Sequence, residues 1–346
     1  MPRTIYAALS EFSAQHVDLD SIQVGQARAS RAFLRSSLIG AMNASAGIPR
    51  MTGGMLHFGS FARKTKIRPL NDIDLMFLID LGQVQVAASP LGFLDPSTSQ
   101  LDVKPAHVDL LGSYFHAQPS VPARFLTAAG HFNSTVVLNE IRGRLQNIHQ
   151  YQNSNIARSG VAVVVNLTSY PWVFDIVPAL EIRNYMGQTE YFAIPDGRGG
   201  WQKTNPRADA RQLTELNQWS RGRLLRLIRL MKFWNTRQGH PVRSHHLEVL
   251  CVQALRSSYP HDPLVALSTC FSQLAYSIHQ PCPDPAGYLH DLGAYLSWDG
   301  KQRFSNLAVA AHEAVTRASS AASLGSHPSA SRELQQVFGP FFPGCA

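Results

Sequence analysis

Three aspartates stand where hydrophobic residues would be expected. Asp72 and Asp74 lie in "NDIDLMFLID" and Asp175 in "WVFDIVPAL". Both stretches read as buried strands, with β-branched and aromatic residues over a strand-like length. A strand sends residues i and i+2 to one face, so Asp72 and Asp74 project together, about 7 Å apart along the strand. Like charges this close repel, and a cation between them is the natural remedy. Asp175, between Phe174 and Ile176, also leaves an apolar row. Three carboxylates on neighbouring strands make an oxygen-rich pocket suited to Mg²⁺. Two such ions can hold a leaving pyrophosphate and activate an attacking hydroxyl. An Asp-x-Asp pair alone is a common strand-end feature. Here Gly59-Ser60 precedes it by about a dozen residues, ahead of a short helix-compatible stretch. Glycine lets a backbone approach a ligand closely, and a helix start bearing a serine hydroxyl can grip phosphate.

The elements that must position these residues follow from period and punctuation. Residues 20–46 have helical spacing with Asp20 or Ser21 as N-cap, and "GIPRMTGG" ends them. After the Asp72–Asp74 strand, residues 91–107 read as a loop-rich insertion, and a helix is expected from a cap at Asn133 or Ser134. "VAVVVNL" and "WVFDIVPAL", joined by "TSYP", read as a hairpin. Gly and Pro cluster in "IPDGRGGWQKTNP", after which residues 207–238, 244–258, 262–279 and 302–320 have helical patterns. This sets an α/β domain, with its long N-terminal helix, over residues 1–200 and a helical domain with a tail over 201–346. Residues 318–331, small and polar, read as a mobile loop. In the helix 221–237, Leu224, Leu227, Ile228, Met231 and Trp234 form an apolar stripe, and Lys232 falls beside it. A snorkelling surface lysine and a ligand-binding one both fit that position. Ser244, in "RSHHLE", reads equally as a helix cap, and His245 as a packing residue or a base-stacking one.

Bulk composition narrows the class. The 346 residues carry a net charge of +8, which favours an anionic partner such as a nucleotide or nucleic acid. Arg223, Arg226 and Arg229 alternate with leucines, as on any solvated helix face. No apolar run reaches the ~18 residues of a membrane span, and the N-terminus lacks a basic-then-apolar secretory pattern. The expected setting is cytoplasmic. Four scattered cysteines give neither a disulfide framework nor a C-x-x-C pair; His279 and Cys282 are at most half of a zinc site.

"FGSFARKTKIRPLNDIDLMFLI" resembles the active-site signature of the DNA polymerase β-like nucleotidyltransferases. Within them it is similar to the bacterial cyclic GMP-AMP synthase-like enzymes (CD-NTases with a SMODS domain), relatives of the oligoadenylate synthetases. "VFDIVPAL", "IPDGRGGWQKTNP", "LIRLMKFWN", "RSHHLEVL" and "VFGPFFP" continue the likeness in order, over most of residues 20–343. The resemblance implies an α+β fold: a polymerase β-like core with a mixed sheet, then a C-terminal all-helical domain like that of oligoadenylate synthetases. It implies that Asp72, Asp74 and Asp175 are catalytic and bind two Mg²⁺ ions, for which Mn²⁺ may substitute. Gly59, Ser60, Lys232 and Ser244 would bind nucleotide. The implied activity joins nucleoside triphosphates, ATP and GTP, into a cyclic oligonucleotide second messenger. A purine cyclic dinucleotide such as cyclic GMP-AMP or cyclic di-GMP is expected, in antiphage (CBASS) signalling. Base choice would rest with polar lid residues, among which Arg183, Asn184, Arg198 and Asn217 are unranked. A transferase acting on RNA, protein or a small molecule, or a regulator that binds nucleotide or RNA without catalysis, are the alternatives. The zinc-bearing insertion of animal DNA-sensing relatives has no counterpart, so nucleic-acid activation is not expected. Neither is membrane association; a monomer is. The tail "FFPGCA" is either a handle for an operon-encoded regulator or a frayed end.

Overall fold

The computed structural model describes residues 1–44, 48–81, 83–88, 100–106, 121–184 and 186–346. They divide into two compact units, one of Ser21–Ala62 and Leu70–Pro206, the other of Met1–Asp20, Arg63–Pro69 and Arg207–Ala346. The division differs from a single boundary near residue 200, because two earlier stretches pack into the helical unit. The reason is apolar: Ile5, Leu9 and Phe12 are fully buried there, and the Phe12 ring lies 5.1–5.4 Å from those of Phe233, Phe338 and Phe342.

The first unit is built on a mixed nine-stranded sheet. Its strands are β1 (Arg50–His57), β2 (Asp72–Asp80), β3 (Gln83–Ala88), β4 (Gln100–Ala106), β5 (Asn155–Ser159), β6 (Ala162–Asn166), β7 (Val173–Arg183), β8 (Thr189–Pro195) and β9 (Trp201–Thr204). The order is β1-β2-β7-β8-β9-β4-β3, with the β5–β6 hairpin attached to β7. Only the central β2–β7 pair is parallel among the described ladders. The eleven-residue β7 organises the sheet: β2 takes one edge, while β6 and β8 share the other. The expected hairpin is the β6–β7 pair, in which Val163 faces Ile176. The expected insertion instead contributes β4, paired with β3; residues 91–99 and 107 lie outside the described residues. Helices α2 (Ser21–Asn43), α3 (Gly59–Ala62) and α4 (Ser134–Gln146) complete the unit. Asn133 caps α4 as expected, its side chain accepting from the Thr135 and Val136 amides.

The second unit is helical: α1 (Ile5–Phe12), α5 (Pro206–Trp219), α6 (Arg223–Arg237), α7 (Ser244–Leu255), α8 (Pro263–Ser277), α9 (Trp298–Ser323) and α10 (His327–Phe338). The sequence pattern predicts α5 and α6 as one helix, but the backbone turns left-handed at Arg221 (φ +54°) and Gly222 (φ +82°) and a new helix starts there. The α6 stripe is buried as expected, with the Trp234 ring 4.9 Å from Phe271 and 5.6 Å from Phe304.

Two further expectations are corrected. Residues 318–331 are the end of α9 and the start of α10, because Ala314, Ala318, Ala322 and Ala330 are small enough for close helix packing and are buried. The C-terminal segment is not frayed. Phe342 and Cys345 are buried, Gln335 and Ser331 donate to the Phe342 and Pro343 carbonyls, and the Ala346 amide donates to the Pro2 carbonyl.

Candidate active site

β2 has two unlike faces. Ile73, Leu75, Phe77 and Ile79 are all buried on one. On the other, Asp72 and Asp74 are half-buried, followed by buried Met76. The parallel register sets Asp74 beside Asp175 and Met76 beside Val177. Paired residues on adjacent strands share a face, with backbones about 4.8 Å apart, so all three carboxylates leave one side of the sheet. Beyond them that face closes over an apolar cluster of Met76, Ala179 and Phe192. The acids therefore sit at its open end, anchored by strands whose reverse side is core.

Gly59 and Ser60 open α3, the helix between β1 and β2. Gly59 has φ +73°, and a Cβ built there would lie 1.7 Å from Asp74 Oδ2. The Asp74 carboxylate thus rests against the bare Cα of Gly59. Only glycine accepts both the left-handed backbone and this approach.

In the helical unit, Lys232 is a buried side chain and not a surface one. Its Nζ lies 2.9 Å from Glu248 Oε1, on α7. Glu248 also accepts from Arg63 Nε at 2.9 Å and from Thr65 Oγ1 at 2.8 Å. Burial alone would raise the Glu248 carboxyl, but the charges of Arg63 and Lys232 and their hydrogen bonds hold it below the usual carboxylate range. Glu248 is the residue that sequence reasoning passed over. Its burial partners are 16 and 185 positions away. Ser244 is exposed in the first turn of α7, with Arg243 at the cap position. His245 is half-buried and lines a small cavity of about 20 Å³ together with Arg63, Gln212, Glu248 and Val252. The next residue, His246, is buried against Gly293, and burial pushes its imidazole down to about 4. Arg183 and Arg198 are exposed, the first paired with Glu181, and Asn184 is half-buried; the Asn217 side chain accepts from the Leu225 amide.

Among the described residues no group of three or more His, Cys, Asp or Glu side chains is gathered closely enough to hold a metal ion. Cys282 of the His279–Cys282 pair is buried and its thiol is pushed up to about 11, chiefly by burial. No described helix is long and apolar enough to cross a membrane.

No family model matches the chain. A protein of Bacillus cereus (strain VD146) named as a probable cyclic nucleotide synthase is 34% identical over 347 residues, covering 99% of each sequence. The fold is that of CdnC from Escherichia coli MS115-1, solved with ATP: TM-score 0.68, 17% identity and 98% of each chain covered. It is also that of the Vibrio cholerae cyclic AMP-GMP synthase DncV, solved with the linear intermediate pppA(3′,5′)pG: TM-score 0.65, 12% identity, covering 99% of this chain and 97% of that one. The sheet that aligns the three acids therefore has the fold of a polymerase β-like core. The chain belongs to the bacterial cyclic nucleotide synthases, the CD-NTases, nucleotidyltransferases that produce a cyclic oligonucleotide.

Proposed function

We propose that this enzyme joins ATP and GTP, or two molecules of one of them, into a purine cyclic dinucleotide, and that Asp72, Asp74 and Asp175 carry the chemistry. The observation that supports this most is the β2–β7 register, which sets Asp74 beside Asp175 with Asp72 on the same face. The donor set is all carboxylate oxygen and half-buried, which fits Mg²⁺, a hard cation that takes oxygen ligands. Asp side chains turn about two bonds, so the three can converge on a shared cation without moving the strands. Once bound, Mg²⁺ (two ions, or Mn²⁺ in their place) neutralises triphosphate charge and lowers the pKa of the attacking hydroxyl. The chain's own part is positioning. Asp175 faces the acceptor hydroxyl and receives its proton. Gly59 leaves room for Asp74, and Ser60 offers a hydroxyl to the donor phosphates. Lys232 and Ser244 are proposed as nucleotide-phosphate contacts, one through an ammonium and the other through a hydroxyl in the first turn of a helix. DncV was solved with a linear dinucleotide intermediate, which supports linear joining before ring closure here.

The setting we propose is cytoplasmic antiphage (CBASS) signalling by a monomer that needs neither membrane nor nucleic acid. A regulator acting on the C-terminal residues would first have to release the Ala346–Pro2 hydrogen bond and lift Phe342 from its packing.

The test is to incubate the enzyme with all four ribonucleoside triphosphates and Mg²⁺ or Mn²⁺, treat with phosphatase and identify resistant products by mass spectrometry. A purine ring of two is expected, absent in an Asp72→Asn, Asp74→Asn variant that melts no lower than the parent. A ring made by that variant would refute the assignment of the acids; a linear, phosphatase-sensitive oligomer would refute ring closure.

A further inference from the structure

We propose that Glu248 is a positioning residue: it fixes the Lys232 ammonium in place for nucleotide binding. The inference rests on the phosphate-binding role proposed for Lys232. One carboxylate here serves three donors, Arg63, Thr65 and Lys232, and Oε1 alone takes both the lysine and the threonine. Two cations thus share one anion at a place where Lys232 and Glu248 side chains are 6% and 5% exposed. A local surplus of one positive charge remains, and burial makes it costly unless an anion arrives. A nucleotide phosphate is that anion. The pocket lined by Arg63, Glu248 and His245 borders the same group.

Glu248 is also the nearest restraint on the ammonium. Lysine is a flexible stem carrying a point charge, so its partner decides where the ammonium rests. The other ionisable groups around it lend no negative charge. Cys251 of α7 is buried and its thiol is pushed well above its ordinary range, chiefly by burial and by Cys270 of α8 beside it. Arg63 repels the ammonium. Asp18, in the segment after α1, is taken by Arg229 at 2.6 Å. Removing the Glu248 charge therefore leaves the Lys232 ammonium facing Arg63 without the carboxylate that holds it.

The experiment compares KM for ATP and for GTP with kcat. The full-length parent is set beside Glu248→Asp, Glu248→Gln, Lys232→Ala and the double variant Glu248→Gln, Lys232→Arg. Glu248→Asp keeps the charge but withdraws it by one methylene. It is expected to raise KM at least about tenfold, the worth of one charge-assisted hydrogen bond, with kcat within about threefold of the parent, a split that general loss of packing does not give. Glu248→Gln is expected to raise KM further. Arginine at 232, whose longer planar fork reaches phosphate without that carboxylate, is expected to recover part of the loss. If Glu248→Gln does not fold, the Glu248→Asp result decides. The proposal is overturned if Glu248→Asp leaves KM within about twofold of the parent while Lys232→Ala raises it. If Lys232→Ala itself leaves KM unchanged, the phosphate-binding role of Lys232 fails, and this proposal with it.

Discussion

Gly59→Ala is the sharpest single perturbation the structure offers. Two separate costs fall on it. The backbone there has φ +73°, which an alanine occupies at a cost of about 1–2 kcal/mol. The new methyl would also stand 1.7 Å from Asp74 Oδ2 and 2.4 Å from its Cγ. Carbon and oxygen do not approach closer than about 3.3 Å, so the carboxylate must retreat by about 1.5 Å or α3 must shift. A misplacement of about 1 Å in a catalytic constellation can cost 100-fold, so kcat is expected to fall by that factor or more. Stability falls as well, because the methyl would also lie 2.8 Å from Asp74 Cβ, which a swing of the carboxylate does not move. Gly130 supplies the control: it has φ +77°, but a Cβ built there meets no heavy atom within 4 Å. Gly130→Ala should show the backbone cost in thermal unfolding and leave turnover untouched. The assay is conversion of labelled ATP and GTP to phosphatase-resistant product, with melting curves of both variants. Should Gly59→Ala turn over within about threefold of Gly130→Ala, the placement of the Asp74 carboxylate against Gly59 is irrelevant to the chemistry, and the reasoning fails.

Other expected outcomes rest on burial. His246 resists protonation down to about pH 4 in the folded state against about 6.5 when unfolded, so across that window the unfolded chain binds the extra proton. Stability should therefore drop by at most about 2 kcal/mol between pH 7 and pH 5, and His246→Phe should flatten that dependence in urea unfolding. Glu248→Gln leaves two buried cations uncompensated and should destabilise the protein by about 3–5 kcal/mol in chemical denaturation. Trp234→Ala, between Phe271 and Phe304, should cost about 3–5 kcal/mol through the cavity it opens. Limited proteolysis under native conditions should spare residues 318–323 and 327–331, which are helical; rapid cleavage within them would contradict that packing.

What could be read in the sequence was what is written locally. The alternation of Asp72 and Asp74 with buried Ile73 and Leu75 marks both strand and site, and Asn133 announces its own helix. The stripe of α6 needs only a 3.6-residue period. The Glu248 cluster is different, because Arg63 and Glu248 have no sequence relationship until the chain folds. One glutamate near a helix start then looks like any other. Residues 318–331 misled for a compositional reason: alanine and serine suit a solvated linker and a tight helix interface equally well. β5 and β9, of five and four residues, are too short to show a period. The placement of α1 turned on distant aromatic partners, and nothing in its own eight residues names them.

The distribution of the helical unit over three stretches of chain has a consequence for synthesis. A ribosome releases α1, with Ile5, Leu9 and Phe12 ready to be buried, long before its partners: Phe233 follows Phe12 by more than 200 residues, and Phe338 and Phe342 follow it by more than 300. The last strand of the sheet precedes most of the helices that α1 needs. Sheet pairing can therefore be complete while an apolar N-terminal helix is still without its seat. Closing that long-range contact is the step most exposed to misassembly, and it is set by the order of the pieces along the chain rather than by their final stability.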